Sequence, residues 1–108
     1  MTAAARRMGV VVLNWNGRPH LERCLASLEV QDRPDSFVVL VDNGSRDGSA
    51  AFVRERFPGV ELLELGENRR FAGGNNAGAA RALELGADVV LVLNNDTEST
   101  PGFLRRLD

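Results

Sequence analysis

The chain has 108 residues, 44% apolar and 26% charged, with a net charge of −2. That balance fits one globular domain able to bury a core without metal or disulfide staples, and it excludes a disordered or membrane composition. No stretch approaches the roughly 20 apolar residues of a membrane-spanning helix, and no basic block interleaved with aromatics offers nucleic acid its footprint, so no nucleic-acid partner is expected.

Residues 1–7 carry two arginines, but the apolar run that follows is short and lacks the h-region and cleavage site of a signal peptide. A cytoplasmic location is the resulting expectation. The first strand is predicted over about residues 8–15. Pro19 suits the first turn of the next helix, because it has no amide hydrogen to leave unpaired. Leu21, Cys24, Leu25 and Leu28 then recur at helical spacing and form one buried stripe. Cys24, the single cysteine, excludes an internal disulfide and reads as core filling. Arg33-Pro34-Asp35 lies beyond the helix, since proline disfavours helical geometry in the residue before it.

Residues 37–41 are continuous and rich in valine, the pattern of a strand covered on both faces. Ser45 or Asp47 is positioned to cap the next helix, whose inner face carries Ala50, Val53 and Phe57. Phe57-Pro58-Gly59 stops that helix. Residues 60–65 read as a third strand, with Glu61 and Glu64 interleaved as on a sheet edge. A third helix is predicted over 73–85, closed by Gly86. Residues 88–93 form the most uniformly apolar strand, which is therefore expected at the centre of the sheet, and Thr100-Pro101 opens a last helix. Strands alternating with helices imply βαβ units, hence an α/β fold with a mostly parallel sheet.

Three strands run into polar clusters: Asn14-Trp15-Asn16-Gly17, Asp42-Asn43-Gly44-Ser45 and Asn94-Asn95-Asp96. Parallel strands share a direction, so these clusters collect along the carboxyl edge of the sheet, where such folds bind ligands. Asp96 offers a hard oxygen ligand of the sort Mg²⁺ or Mn²⁺ takes together with substrate phosphates, or else the triplet is an Asx-type turn. Asp42 can accept a hydrogen bond from a base or ribose, or cap its own turn. Trp15, the only tryptophan, can pack its indole on a flat base or in the core. Residues 68–78, rich in glycine and amides, lead into a helix as an anion site would, with Arg69 or Arg70 adding charge. They match neither the dinucleotide fingerprint nor a P-loop, which argues against a nicotinamide dehydrogenase and a P-loop ATPase. His20, the only histidine, has no nucleophile set beside it in sequence and reads as a surface residue, which disfavours a Ser/His/Asp hydrolase.

Four segments occur together in order: Val-Val-Leu-Asn-Trp-Asn-Gly at 11–17, Val-Asp-Asn-Gly-Ser-Arg-Asp-Gly-Ser at 41–49, Asn-Arg-Arg-Phe-Ala-Gly-Gly-Asn-Asn-Ala-Gly at 68–78, and Leu-Asn-Asn-Asp-Thr at 93–97. In this order and spacing the chain resembles the amino-terminal, nucleotide-sugar-binding portion of family 2 inverting glycosyltransferases of the GT-A fold, in their rhamnosyltransferase-like branch. The likeness runs over about residues 8–105. It implies a three-layer α/β/α, Rossmann-like sheet truncated after the fourth strand, with residues 1–108 as the nucleotide-sugar-binding part.

By the same resemblance, the nucleotide-binding set is Leu13, Asn14, Trp15, Asn16, Asp42, Asn43, Asn75, Asn76, Asn94 and Asn95. Leu13 and Trp15 would border the base, Asp42 would contact the base or its ribose, and Asn75 would lie near the diphosphate. Asn94-Asn95-Asp96 takes the place of the family's Asp-x-Asp motif, its first aspartate replaced as in that branch, and Asp96 would hold Mg²⁺ or Mn²⁺. The implied activity is inverting transfer of a sugar from a dTDP- or UDP-sugar to an acceptor hydroxyl on a glycan or lipid-linked acceptor. The family's catalytic base lies well beyond Asp96, in the acceptor-binding half, so the catalytic residue is unassigned and the chain is expected to be a fragment inactive alone. The full-length protein would work at the inner membrane surface in making cell-envelope polysaccharide, and the face left open would promote association. Two rivals stay open. A non-catalytic nucleotide-binding module would need no metal, whereas a nucleotidyltransferase would show a glycine- and lysine-rich loop after the first strand that is absent here.

Overall fold

The first strand forms where three adjacent valines leave the backbone little freedom except to extend. In the computed structural model, which describes residues 7–31 and 33–107, β1 spans Met8–Asn14. The stretch 1–6, read above for a leader, lies outside the described residues, as does Asp108. There follow α1 (Arg18–Glu29), β2 (Ser36–Asp42), α2 (Ser49–Arg56), β3 (Glu61–Glu64), α3 (Arg70–Glu84) and β4 (Val89–Asn94), then a 3-10 turn at Leu104–Leu107. The four strands make one parallel sheet in the order β3-β2-β1-β4.

Side chains of a strand alternate between faces, and the core divides accordingly. Val10 and Val12 pack with Leu21, Cys24, Leu25 and Leu28 of α1 and Val53 of α2. Val11, on the other face, packs with Val39, Val41 and Ala82 of α3. The result is the three-layer α/β/α arrangement. Right-handed crossovers require it: β1 to β3 winds one way, β4 returns to the other side of β1, and α3 must cross the opposite face.

Three expectations need correction. β4 is not central: it pairs with β1 alone among the described residues, and Val92 is 42% exposed. An unbroken apolar run reports burial of a strand's faces and says nothing about its lateral neighbours. The last helix is instead a turn followed by the 3-10 segment. There the Gln31 Oε1 accepts from the Leu104 amide at 2.9 Å and the Arg33 guanidinium donates to the Leu104 carbonyl at 3.0 Å, drawing off backbone groups an α-helix would use. The third helix begins at Arg70 rather than Gly73, so its glycines lie inside the helix. A Cβ on Gly74 would collide with Leu13 Cδ1, and one on Gly78 would lie 2.5 Å from Val11 and 2.6 Å from Val41. These glycines set how closely α3 approaches the sheet.

Gly78→Ala should therefore destabilise the fold by about 2 kcal/mol, overpacking outweighing the roughly 0.5–1 kcal/mol that alanine gains in helix propensity. Urea unfolding checks the sign; a gain in stability would mean that the helix can lift off at no cost.

Cap geometry at α2 also differs from expectation. The N-cap is Gly48, at φ 83°. Asp47 still accepts from the Ser49 amide at 3.1 Å, whereas Ser45 faces the first loop. Glu61 and Glu64 lie on the edge strand β3 as expected, paired with Arg81 and Arg54.

Candidate functional site

In an open parallel sheet the ligand crevice forms where the winding direction reverses, outside the carboxyl ends of the two strands that flank the reversal. Here that place is between β1 and β4. Their register sets Leu13 opposite Asn94, and a cleft of about 260 Å³ opens there, lined by Leu13, Trp15, Phe71, Asn94, Asn95 and Asp96. Trp15 follows the last residue of β1 and is 55% exposed, so it is not a core residue. Asp96 also lines a smaller cleft of about 100 Å³ with Pro19, His20, Arg23 and Thr97. His20 is exposed, as its surface reading requires. A further cleft of about 300 Å³, including Leu25, Phe37, Phe57 and Val60, lies toward the amino ends of β2 and β3 and contains none of the polar clusters.

The fully buried Asn14 ties the strand ends together. Its Nδ2 donates to Asp42 Oδ1 and to Ser45 Oγ, each at 3.3 Å, and its Oδ1 accepts from Asn95 Nδ2 at 2.8 Å. One amide thus joins β1, β2 and the segment after β4. Gly17 is required beside it, because a Cβ there would run into Asn95 Nδ2 and lie 2.6 Å from Asn14 Oδ1.

Asn16 locks the first loop to the second. At φ 50° its amide donates to Ser45 Oγ at 2.8 Å, and its side-chain oxygen accepts from the Arg46 amide at 2.8 Å. Asp47 continues the seam by accepting from the Arg18 amide at 3.0 Å. Its carboxyl is held below the usual carboxylate range: slight burial acts the other way, and the bonds from Ser49 and the Arg18 amide outweigh it.

Asn43, also buried, anchors the start of α3. It accepts from the Arg69 amide at 2.8 Å and donates to the Arg70 carbonyl at 3.1 Å. Arg70 is thereby held at φ 62°, a left-handed conformation that costs a non-glycine residue about 1–2 kcal/mol.

Of the sequence-marked residues, Leu13, Trp15, Asn94, Asn95 and Asp96 meet at the cleft. Asn14, Asn16, Asp42, Asn43, Asn75 and Asn76 do not line it. Asp42 is 5% exposed, with Oδ1 bonded to Asn14. Asn75 sits in α3 with its Oδ1 buried and without a partner, and Asn76 faces solvent. Phe71 was missed, because no periodicity marks a lone aromatic at a helix start; its only signal was its place after two arginines.

Cys24 lies behind this site, its thiol 3.8 Å from the Asn94 carbonyl. Burial first, and the Asp96 charge second, push its pKa up from 9.0 to about 11. The unfolded thiol ionises first, so the contribution to stability is complete below pH 9.0 and is lost as pH rises through about 11. Native Cys24 should resist alkylation at pH 8, and Cys24→Ser should flatten the alkaline fall in stability between these values.

Residues 9–107 match the family described as Glycosyl transferase family 2. The N-acetylglucosaminyl-diphospho-decaprenol L-rhamnosyltransferase of Mycobacterium tuberculosis is 35% identical over 106 residues, which cover 91% of this chain and 34% of that protein. A mannosyltransferase from Pyrobaculum calidifontis, solved with GDP-mannose and Mn²⁺, is 29% identical with a TM-score of 0.78, covering 88% of this chain and 29% of the other. TarS from S. aureus, solved with UDP, is 26% identical with a TM-score of 0.73, covering 92% and 30%. The chain spans about a third of the length of the curated relatives it matches. The family's match along residues 9–107, nearly the whole of the sheet that carries this cleft, makes the chain a member of glycosyl transferase family 2.

Proposed function

We propose that the chain is the donor-binding portion of a rhamnosyltransferase-like enzyme that moves a sugar from a dTDP- or UDP-sugar to a hydroxyl of a glycan or lipid-linked acceptor, with inversion. The observation that carries this reading is the cleft at the β1/β4 reversal, with an aromatic wall at Trp15 and a carboxylate at Asp96. A nucleoside diphosphate has the matching parts, a flat base and a charged tail.

The donor set fits a hard divalent cation. Asp96 is exposed on two clefts, and among the described residues no group of three His, Cys, Asp or Glu gathers into a full protein cage. Mg²⁺ and Mn²⁺ suit such a place because they take one or two carboxylates and complete their shell with substrate phosphates. When bound, such an ion neutralises charge on the departing nucleoside diphosphate. The chain's own residues do the rest of the binding. Trp15 covers the base, while the buried Asp42, bonded to Asn14, steadies the strand ends. Asn14, Asn16 and Asn43 act through the loops they fix. The base that takes the acceptor proton is assigned to the part of the relatives beyond the matched third.

Calorimetric titration with UDP, dTDP and GDP, with and without Mn²⁺, tests this. Mn²⁺-dependent binding of a nucleoside diphosphate is expected, with no sugar transfer by the 108-residue chain. Binding of equal strength without metal would favour the non-catalytic module instead, a reading that the lone carboxylate keeps open.

A further inference from the structure

We propose that Phe71 and Trp15 form the two walls of a slot that grips the donor's nucleobase, which makes Phe71 a donor-binding contact of the transfer reaction. The inference rests on the donor-site reading above.

Phe71 is 66% exposed and Trp15 55%, two large aromatic surfaces left in water at one cleft. They come from separate elements, the start of α3 and the loop after β1. Among the described residues neither ring stacks on another ring, and both border the same open cleft. Apolar Leu13 and the Asn94 and Asn95 amides complete the lining, with Asp96 as its one charge. A planar base suits aromatic walls with amides at its edge, because every base has a π-face and a hydrogen-bonding rim.

Both walls are held in advance. The backbone just before Phe71 is strained at Arg70 and pinned on its two sides, by Asn68 Oδ1 to the amide at 2.6 Å and by Asn43 to the carbonyl. Local strain that persists because its surroundings fix it is a mark of functional positions. In the loop after β1, Asn16 and Ser45 secure the segment that carries Trp15. A slot ordered before binding loses less freedom when its guest arrives.

Trp15 is the chain's only tryptophan, so its fluorescence reports the slot directly. The unmodified chain, Phe71→Ala and Phe71→Tyr are titrated with UDP, dTDP, GDP and inorganic pyrophosphate in Mn²⁺, by fluorescence and calorimetry. Nucleoside diphosphates should quench Trp15. Phe71→Ala should weaken them about tenfold or more while leaving pyrophosphate unchanged, and Phe71→Tyr should restore them. Unchanged nucleotide binding in Phe71→Ala, or an equal loss for pyrophosphate, overturns the slot and leaves the donor site standing. Failure of the unmodified chain to bind any of these ligands overturns the donor site and the slot with it.

Discussion

Asp96→Ala is expected to abolish the Mn²⁺-dependent part of nucleotide binding, a loss of more than about 100-fold, because metal stabilisation of a diphosphate amounts to several kcal/mol. The fold should hardly notice. Asp96 is exposed, and its side chain accepts no hydrogen bond from the described residues, so the change in stability should stay within about 0.5 kcal/mol. One further effect follows from geometry. The Asp96 charge helps to hold the Cys24 thiol protonated, so the variant's thiol should ionise at lower pH than in the unmodified chain. Calorimetry with UDP, dTDP and GDP, each with and without Mn²⁺, separates metal-dependent from metal-independent binding, and pH-dependent alkylation reads Cys24 in the same preparations. Undiminished Mn²⁺-dependent binding would remove Asp96 from the metal site; an unmoved Cys24 would mean that burial alone sets its pKa.

Much of the frame could be read in advance because its signals are local. The α1 stripe and the valine runs of β1 and β2 each satisfy one face-burial rule, and the strands lie within one residue of their expected bounds. What failed depends on neighbours distant in sequence. β4 looks central because its faces are apolar, yet its place in the sheet is set by pairing, with Leu13 opposite Asn94. The α3 glycines look like a phosphate loop, and only the closeness of Val11 and Val41 reveals a packing role. The site divides in the same way. Trp15 and Asp96 were visible because strand ends of a parallel sheet must converge. The work of Asn14, Asn16 and Asn43 was not, since an amide that binds a ligand and an amide that holds a loop are the same residue in sequence.

Asn14→Asp should be the most damaging isosteric change at this edge. It exchanges an N–H donor for an oxygen 3.3 Å from Asp42 Oδ1, in a position with no solvent exposure. Two carboxylates so placed cannot both ionise without facing each other across a poorly solvated gap, and an uncompensated buried charge costs about 3–5 kcal/mol. Like charge and burial both raise the folded pKa of the introduced carboxyl above its unfolded value of about 3.9. The penalty should therefore be small below about pH 4 and grow as pH rises through the folded value, where the unfolded chain ionises freely and the folded one resists. Urea unfolding of the variant and the unmodified chain at pH 4 and pH 7 gives the difference directly. A penalty confined to neutral pH identifies the charge of the introduced carboxylate as its cause. An equal penalty at both would assign the importance of Asn14 to geometry alone, to the bonds that draw Ser45 and Asn95 onto β1.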